Sequence, residues 1–137
     1  MKKLFLASIA YLTLDKATEL FPDNPTKLTV AFIPTAANLY EDKSWLMKDR
    51  DKLTAMGFTV KDVNLEEKTK EQLQKELTDI DVIFVSGGNT FYLLQQVRES
   101  GFDEIVKDMI EKGVVYIGSS AGAVLVLSLI HISSPRD

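Results

Sequence analysis

Five residues towards the C-terminal end of the chain, Gly118-Ser119-Ser120-Ala121-Gly122, have the types and spacing for attack on a carbonyl carbon. They follow the hydrophobic run Val114-Val115-Tyr116-Ile117 and so read as G-x-S-x-G at the end of a strand. This is the pattern of a nucleophile elbow, in which a sharp strand-to-helix turn lifts a serine hydroxyl clear of the sheet. Glycine is needed two residues before and two after the serine, because a Cβ at either place would clash in so tight a turn. The helix that follows aims free N–H groups and its positive dipole end at the serine. Ser120 is the candidate nucleophile.

A second glycine turn, Ser86-Gly87-Gly88-Asn89-Thr90, ends the run Asp81-Val82-Ile83-Phe84-Val85 and leads into a helical stretch from Phe91 to Arg98. A tetrahedral oxyanion calls for preorganised N–H donors, commonly backbone amides. Ala121, directly after the serine, offers one. Gly88 on the neighbouring strand offers another, since no side chain blocks its approach. Asn89 and Thr90 are candidate substrate-pocket residues. The plainer readings stay open: Gly87-Gly88 as an ordinary strand-to-helix turn, and Asn89-Thr90 as a helix cap.

The elements that must position these turns alternate along the chain. Strands are expected at Lys3–Ser8, Leu28–Ile33 (stopped by Pro34), Phe58–Leu65, Asp81–Val85 and Val114–Ile117. Helices are expected at Ser44–Met56, at Lys70–Leu77 and, more weakly, at Leu12–Phe21 before Pro22. Phe102, Ile105, Val106, Met109 and Ile110 form a clean helical stripe. Continuous apolar strands separated by helices predict an α/β fold with a parallel, doubly wound sheet covered on both faces. Ligands of such sheets bind beyond the carboxyl ends of the strands.

Composition narrows the function classes. The chain has 137 residues, 45% hydrophobic and 26% charged, which fits one globular domain. A net charge of −4 argues against nucleic acid or an anionic membrane as partner. With no cysteine there is no disulfide, zinc-thiolate site or thiol nucleophile, and a cytoplasmic setting is expected. Met1-Lys2-Lys3 before Leu4–Leu12 mimics a secretory signal, but a first buried strand is the better reading. No metal or cofactor is implied. The acidic residues Asp103, Glu104, Asp108 and Glu111 lie opposite the Phe102–Ile110 stripe, as a solvated face would. Trp45, Tyr40 and Tyr92 show no pattern beyond packing, although Tyr92 is near enough to Gly87–Asn89 to line a pocket.

Val85-Ser86-Gly87-Gly88-Asn89-Thr90-Phe91 and Tyr116-Ile117-Gly118-Ser119-Ser120-Ala121-Gly122-Ala123, in this order and spacing, resemble peptidase E, the aspartyl dipeptidase family of serine peptidases. Lys3-Leu4-Phe5-Leu6-Ala7-Ser8 and Val30-Ala31-Phe32-Ile33-Pro34-Thr35-Ala36 are also similar to that family's first two strands. The resemblance implies the class I glutamine-amidotransferase-like (flavodoxin-like) three-layer fold, here C-terminally truncated. It also implies Ser120 as nucleophile, with Gly88 and Ala121 as the oxyanion hole. The implied substrate is a short peptide with N-terminal Asp-Xaa, cleaved through an acyl-enzyme without a cofactor. Two alternatives stay open. One is a binding module that lacks a catalytic base. The other is a cyanophycinase-like hydrolase, which resembles the elbow here but usually has glutamine where this chain has Thr90.

Residues 1–126 carry the resemblance. Residues 127–137 do not resemble the family and read as foreign tail. The family's triad histidine, its acidic partner and the basic residue that reads the substrate aspartate fall beyond this chain. The single histidine, His131, follows Ser120 by eleven residues, about 16 Å along a helix. A general base must reach to about 3 Å, so His131 reads as incidental. Without the family's later strands, Val114–Ile117 is expected to be an exposed apolar edge and the chain marginal on its own.

Overall fold

The computed structural model describes residues 2–133, and side chains as far as residue 129. Five strands form one parallel sheet: β1 (Lys3–Ala7), β2 (Thr29–Ile33), β3 (Thr59–Asp62), β4 (Val82–Val85) and β5 (Val115–Ser119). Their order across the sheet is β1-β5-β4-β2-β3. The helices are α1 (Ala10–Thr13), α2 (Ser44–Met56), α3 (Lys70–Glu76), α4 (Thr90–Ser100), α5 (Phe102–Glu111) and α6 (Ala121–Ser133).

Alternate strand residues face opposite sides, and over Val30–Ile33, Val82–Val85 and Val115–Ile117 every one of them is hydrophobic. Val30, Phe32, Val82, Phe84, Val115 and Ile117 pack with Ala10, Leu14, Ala17 and Leu53 on the α1–α2 side. Ala31, Ile33, Ile83, Val85 and Tyr116 pack on the other side with the apolar faces of α3, α4, α5 and α6. This gives the three layers expected of a continuous-apolar parallel sheet. Phe32 and Phe84 stack across β2 and β4 with centroids 5.4 Å apart, a contact worth about 1 kcal/mol beyond its buried area.

Two expectations change. Leu12–Phe21 is not one α-helix: α1 is a single turn, and Leu14–Leu20 continues as 3-10 helix. The apolar residues explain the switch, because Leu14, Ala17 and Leu20 recur every three residues, the 3-10 period. The elbow strand is not an edge either. β5 pairs with β1 from Lys3↔Val115 to Ala7↔Ser119, and with β4 from Val82↔Val115 to Val85↔Gly118. Val115–Ser119 is buried throughout, and the half-buried β1 takes the edge. The first strand thus fills the place that Val114–Ile117 was expected to leave open.

The acidic residues of α5 pair with lysines at the surface: Glu104 with Lys70 at 2.6 Å, Asp108 with Lys112 at 2.9 Å and Glu111 with Lys2 at 3.3 Å. Among the described residues no cluster of three or more His, Cys, Asp or Glu could hold a metal, and no helix is long and apolar enough to cross a membrane.

Candidate active site

The registers bring the carboxyl ends of β4, β5 and β1 level, so Ser86–Gly88, Ser120 and Ser8 meet at one end of the sheet. Ser120 is the turn itself. Its φ of +54° is in the left-handed region, which costs a non-glycine residue about 1–2 kcal/mol. The surroundings hold it there. Its N–H donates to the Ala7 carbonyl (2.8 Å), and its own carbonyl accepts from the N–H groups of Ala123 (2.9 Å) and Val124 (3.1 Å). Ser120 is exposed, and among the described residues its hydroxyl has no hydrogen-bond partner.

The glycines of the pattern work through close approach. A Cβ on Gly118 would lie 2.7 Å from the Gly122 backbone, and one on Gly122 would lie 2.2 Å from the Val85 carbonyl oxygen. The first turn of α6 therefore rests directly on β5 and β4. Tyr116 fastens it from below, its buried hydroxyl donating to the Gly122 carbonyl at 2.7 Å. Burial alone pushes that phenol well above its ordinary pKa, so it stays a donor.

The second turn lies against the first. A Cβ on Gly87 would come within 2.9 Å of Ser120 Cβ and 3.5 Å of its Oγ. Gly88 has φ +151°, and a Cβ there would strike the Ala36 carbonyl at 2.2 Å, so only glycine fits. Among the described residues neither the Gly88 nor the Ala121 N–H meets an acceptor. Two unused donors thus stand at the ends of adjacent strands beside an unpartnered serine hydroxyl.

Cavities flank Ser120 on both sides. One, about 430 Å³, is lined by Thr90, Ala121 and Val124 along with Ser120. The other, about 210 Å³, is lined by Tyr11, Trp45, Asp49, Gly87 and Gly88 along with Ser120. Thr90 therefore joins the serine, whereas Asn89 lines neither cavity. The Asn89 side chain caps α4 by accepting from the Tyr92 N–H at 2.9 Å. Tyr92 also lines neither: its hydroxyl donates to the Glu66 carboxylate. Residue 131 falls in α6, and its side chain lies outside the described residues.

Sequence reasoning passed over Asp49 and read Trp45 as packing alone. Both project from α2 to the turn after β4: the Trp45 indole N–H donates to the Gly87 carbonyl at 3.2 Å, and Asp49 Oδ2 accepts from the Ser86 hydroxyl at 3.2 Å. Asp49 is only 2% exposed, and among the described residues its Oδ1 has no partner. The signal was there to read, since Trp45, Asp49 and Leu53 recur every four residues, placing a charge within an apolar helical stripe.

Burial raises the Asp49 pKa from 3.8 to about 6, partly offset by the Ser86 hydroxyl and the neighbouring Tyr11 N–H. The folded state thus holds this proton more tightly than the unfolded chain does. The stability this gives is present below about pH 4 and is lost as pH rises to about 6. At 1.4 kcal/mol per unit the full effect is about 3 kcal/mol, and an asparagine amide left in the same place gives part of it back. Asp49→Asn is expected to be about 1–2 kcal/mol more stable than the parent at pH 8 and equal to it at pH 4. Urea unfolding at the two pH values checks this. Equal stabilities at pH 8 would show that Asp49 carries no such burden.

Known proteins resemble this chain in sequence and fold. The sequence model of peptidase family S51 matches residues 7–137. An uncharacterised peptidase of Listeria monocytogenes is 36% identical over 125 residues, which cover 91% of this chain and 60% of that protein. A probable alpha-aspartyl dipeptidase of Drosophila melanogaster is 33% identical over 77% of this chain and 42% of its own length. Peptidase E of Salmonella arizonae is 32% identical over 77% of this chain and 44% of its own length. The crystal structure of a putative peptidase E protein from Listeria monocytogenes superposes with a TM-score of 0.85 at 34% identity, over 92% of this chain and 62% of that one. The chain spans 42–60% of the length of these three curated relatives.

Proposed function

The chain belongs to peptidase family S51, and from that membership we propose that it is the nucleophile-bearing N-terminal portion of a serine peptidase acting on short peptides. Ser120 attacks the peptide carbonyl, the Gly88 and Ala121 N–H groups receive the oxyanion, and water releases the acyl group. The general base comes from sequence that this chain does not contain, as no histidine is among the described residues lining either cavity. The substrate is an Asp-Xaa dipeptide or a similarly short peptide, in line with the names of the Drosophila and Salmonella relatives. The setting on this reading is the cytoplasm.

One observation carries the proposal. An exposed serine hydroxyl stands at a left-handed strand-to-helix turn, against a second turn, and among the described residues neither that hydroxyl nor the Gly88 N–H has a partner. Backbone donors held in place before the reaction need no reorganisation when charge develops, which is where their catalytic value lies. The α6 N-terminus, directly after the exposed Ser120, adds a favourable dipole at the same point.

The test is turnover of Asp-Leu against β-Asp-Arg by a protein in which this chain is completed with the C-terminal part its relatives carry. Hydrolysis of Asp-Leu alone is the expected result. Turnover of β-Asp-Arg alone would make the protein cyanophycinase-like. Binding of Asp-Leu without turnover would make it a binding module.

A further inference from the structure

We infer that the smaller cavity beside Ser120 is a binding site for a primary ammonium, with Asp49 as its counter-charge, and that the group it receives is the free N-terminus of the peptide. The inference rests on the peptidase reading and adds to it the end of the substrate that is read.

The charge is the first argument. Asp49 is 2% exposed, lines the cavity, and among the described residues pairs with no lysine or arginine. A buried carboxylate without a counter-charge is costly, and a ligand cation removes that cost. The raised pKa of about 6 is the mark of the same missing partner, and it leaves the group ionised at neutral pH.

The number of unpartnered oxygens selects the kind of cation. Oδ2 is engaged by the Ser86 hydroxyl, and only Oδ1 is without a partner. A guanidinium fork uses both oxygens of a carboxylate, whereas an ammonium is a point donor satisfied by one. A metal ion needs several ligands, and no cluster of candidate ligands is present among the described residues. The walls favour the same guest. Tyr11 and Trp45 line the cavity, and aromatic faces attract ammonium groups. The Lys48 ammonium already lies 5.5 Å above the Tyr11 ring.

Position then selects the α-ammonium over a side-chain amine. On the protein side, Asp49 connects to Ser120 through the Ser86–Gly87 pair alone, with Ser86 on Asp49 Oδ2 and Gly87 against Ser120. On the substrate side, the α-ammonium is separated from the carbonyl carbon by the Cα only. At about 210 Å³ the cavity is below the roughly 300 Å³ at which drug-sized sites begin, so it suits the head of a peptide and not its whole length.

Trp45 is the chain's one tryptophan and lines this cavity, so its fluorescence reports occupancy. The experiment titrates Ala-Ala and N-acetyl-Ala-Ala at pH 7 into the parent chain and into Asp49→Asn. The parent is expected to bind the free amine about tenfold or more tightly than the acetylated peptide, and Asp49→Asn to bind the two within about twofold. In the parent, lowering the pH from 7 to 5 is expected to erase the preference as Asp49 protonates, which reads the same property without a variant. The groups facing Asp49 are the Ser86 hydroxyl and the Tyr11 N–H, with the Lys48 ammonium above the Tyr11 ring. Equal binding of both peptides by the parent, binding of neither, or a preference that survives in Asp49→Asn would overturn the inference. Labelling of Ser120 by a fluorophosphonate separates the two proposals. A reactive Ser120 with no amine preference leaves the hydrolase standing, and an amine preference beside an inert Ser120 leaves only the ammonium site.

Discussion

Gly122→Ala is expected to destabilise this chain by about 4 kcal/mol or more, because one added methyl group would be driven into backbone. The added Cβ would lie 2.2 Å from the Val85 carbonyl oxygen and 2.9 Å from its carbon, in the middle of the sheet. Neither neighbour can yield cheaply. Val85 is paired on both sides in β4, and Gly122 is held by the Tyr116 hydroxyl and by its contact with Gly118. Ordinary overpacking costs about 1–3 kcal/mol, and a clash of backbone with backbone at this distance exceeds that. A loss of about 4 kcal/mol or more takes between about a quarter and most of the roughly 5–15 kcal/mol that holds a domain together. Gly113→Ala is the control. No atom lies within 4 Å of its built Cβ, and only the φ of +96° opposes it, at about 1 kcal/mol. Urea unfolding of both variants gives the comparison. A Gly122→Ala midpoint close to that of Gly113→Ala would show that α6 is not seated on β4 as described.

Ser120→Ala is expected to have the opposite profile, with no loss of stability and a large loss of activity. Ser120 is exposed and its hydroxyl bonds to nothing among the described residues, so removing it leaves no orphaned partner. In the completed protein, hydrolysis of Asp-Leu should fall by about 10⁴-fold or more, the scale on which serine hydrolases lose turnover with their nucleophile. A fall of only a few-fold would assign the chemistry to another group. A drop in the unfolding midpoint would make Ser120 a structural residue.

Much of this architecture was legible in the chain because it depends on local chemistry. β-Branched and aromatic runs such as Val30–Ile33 and Val82–Val85 can face apolar layers on both sides, and they do. The two glycine turns were readable because close backbone contact excludes a side chain, which leaves glycine as the visible mark at Gly88, Gly118 and Gly122. The strand order was not readable. That β1 pairs with β5 depends on contacts more than a hundred residues apart in sequence, including the Ala10 N–H bond to Ser119 Oγ and the Ser120 N–H bond to Ala7. Asn89 shows the limit at the site: its place beside Gly88 suggested a pocket, but an asparagine before a helix has its own use as a cap, and that use prevails. Asp49 was missed because an acid on a helix usually faces water. Only its position in the stripe of Trp45 and Leu53 distinguishes it.

The central claim is that the turn at residue 120 makes this serine a nucleophile. It is tested most directly by treating the protein completed with the C-terminal part its relatives carry with a fluorophosphonate and locating the adduct by peptide mass spectrometry. The base of the completed protein activates the hydroxyl, and the backbone donors receive the phosphonyl oxygen. The result predicted is one adduct per chain, on Ser120, absent from Ser120→Ala. An adduct spread over several serines, or none at all, would contradict the claim.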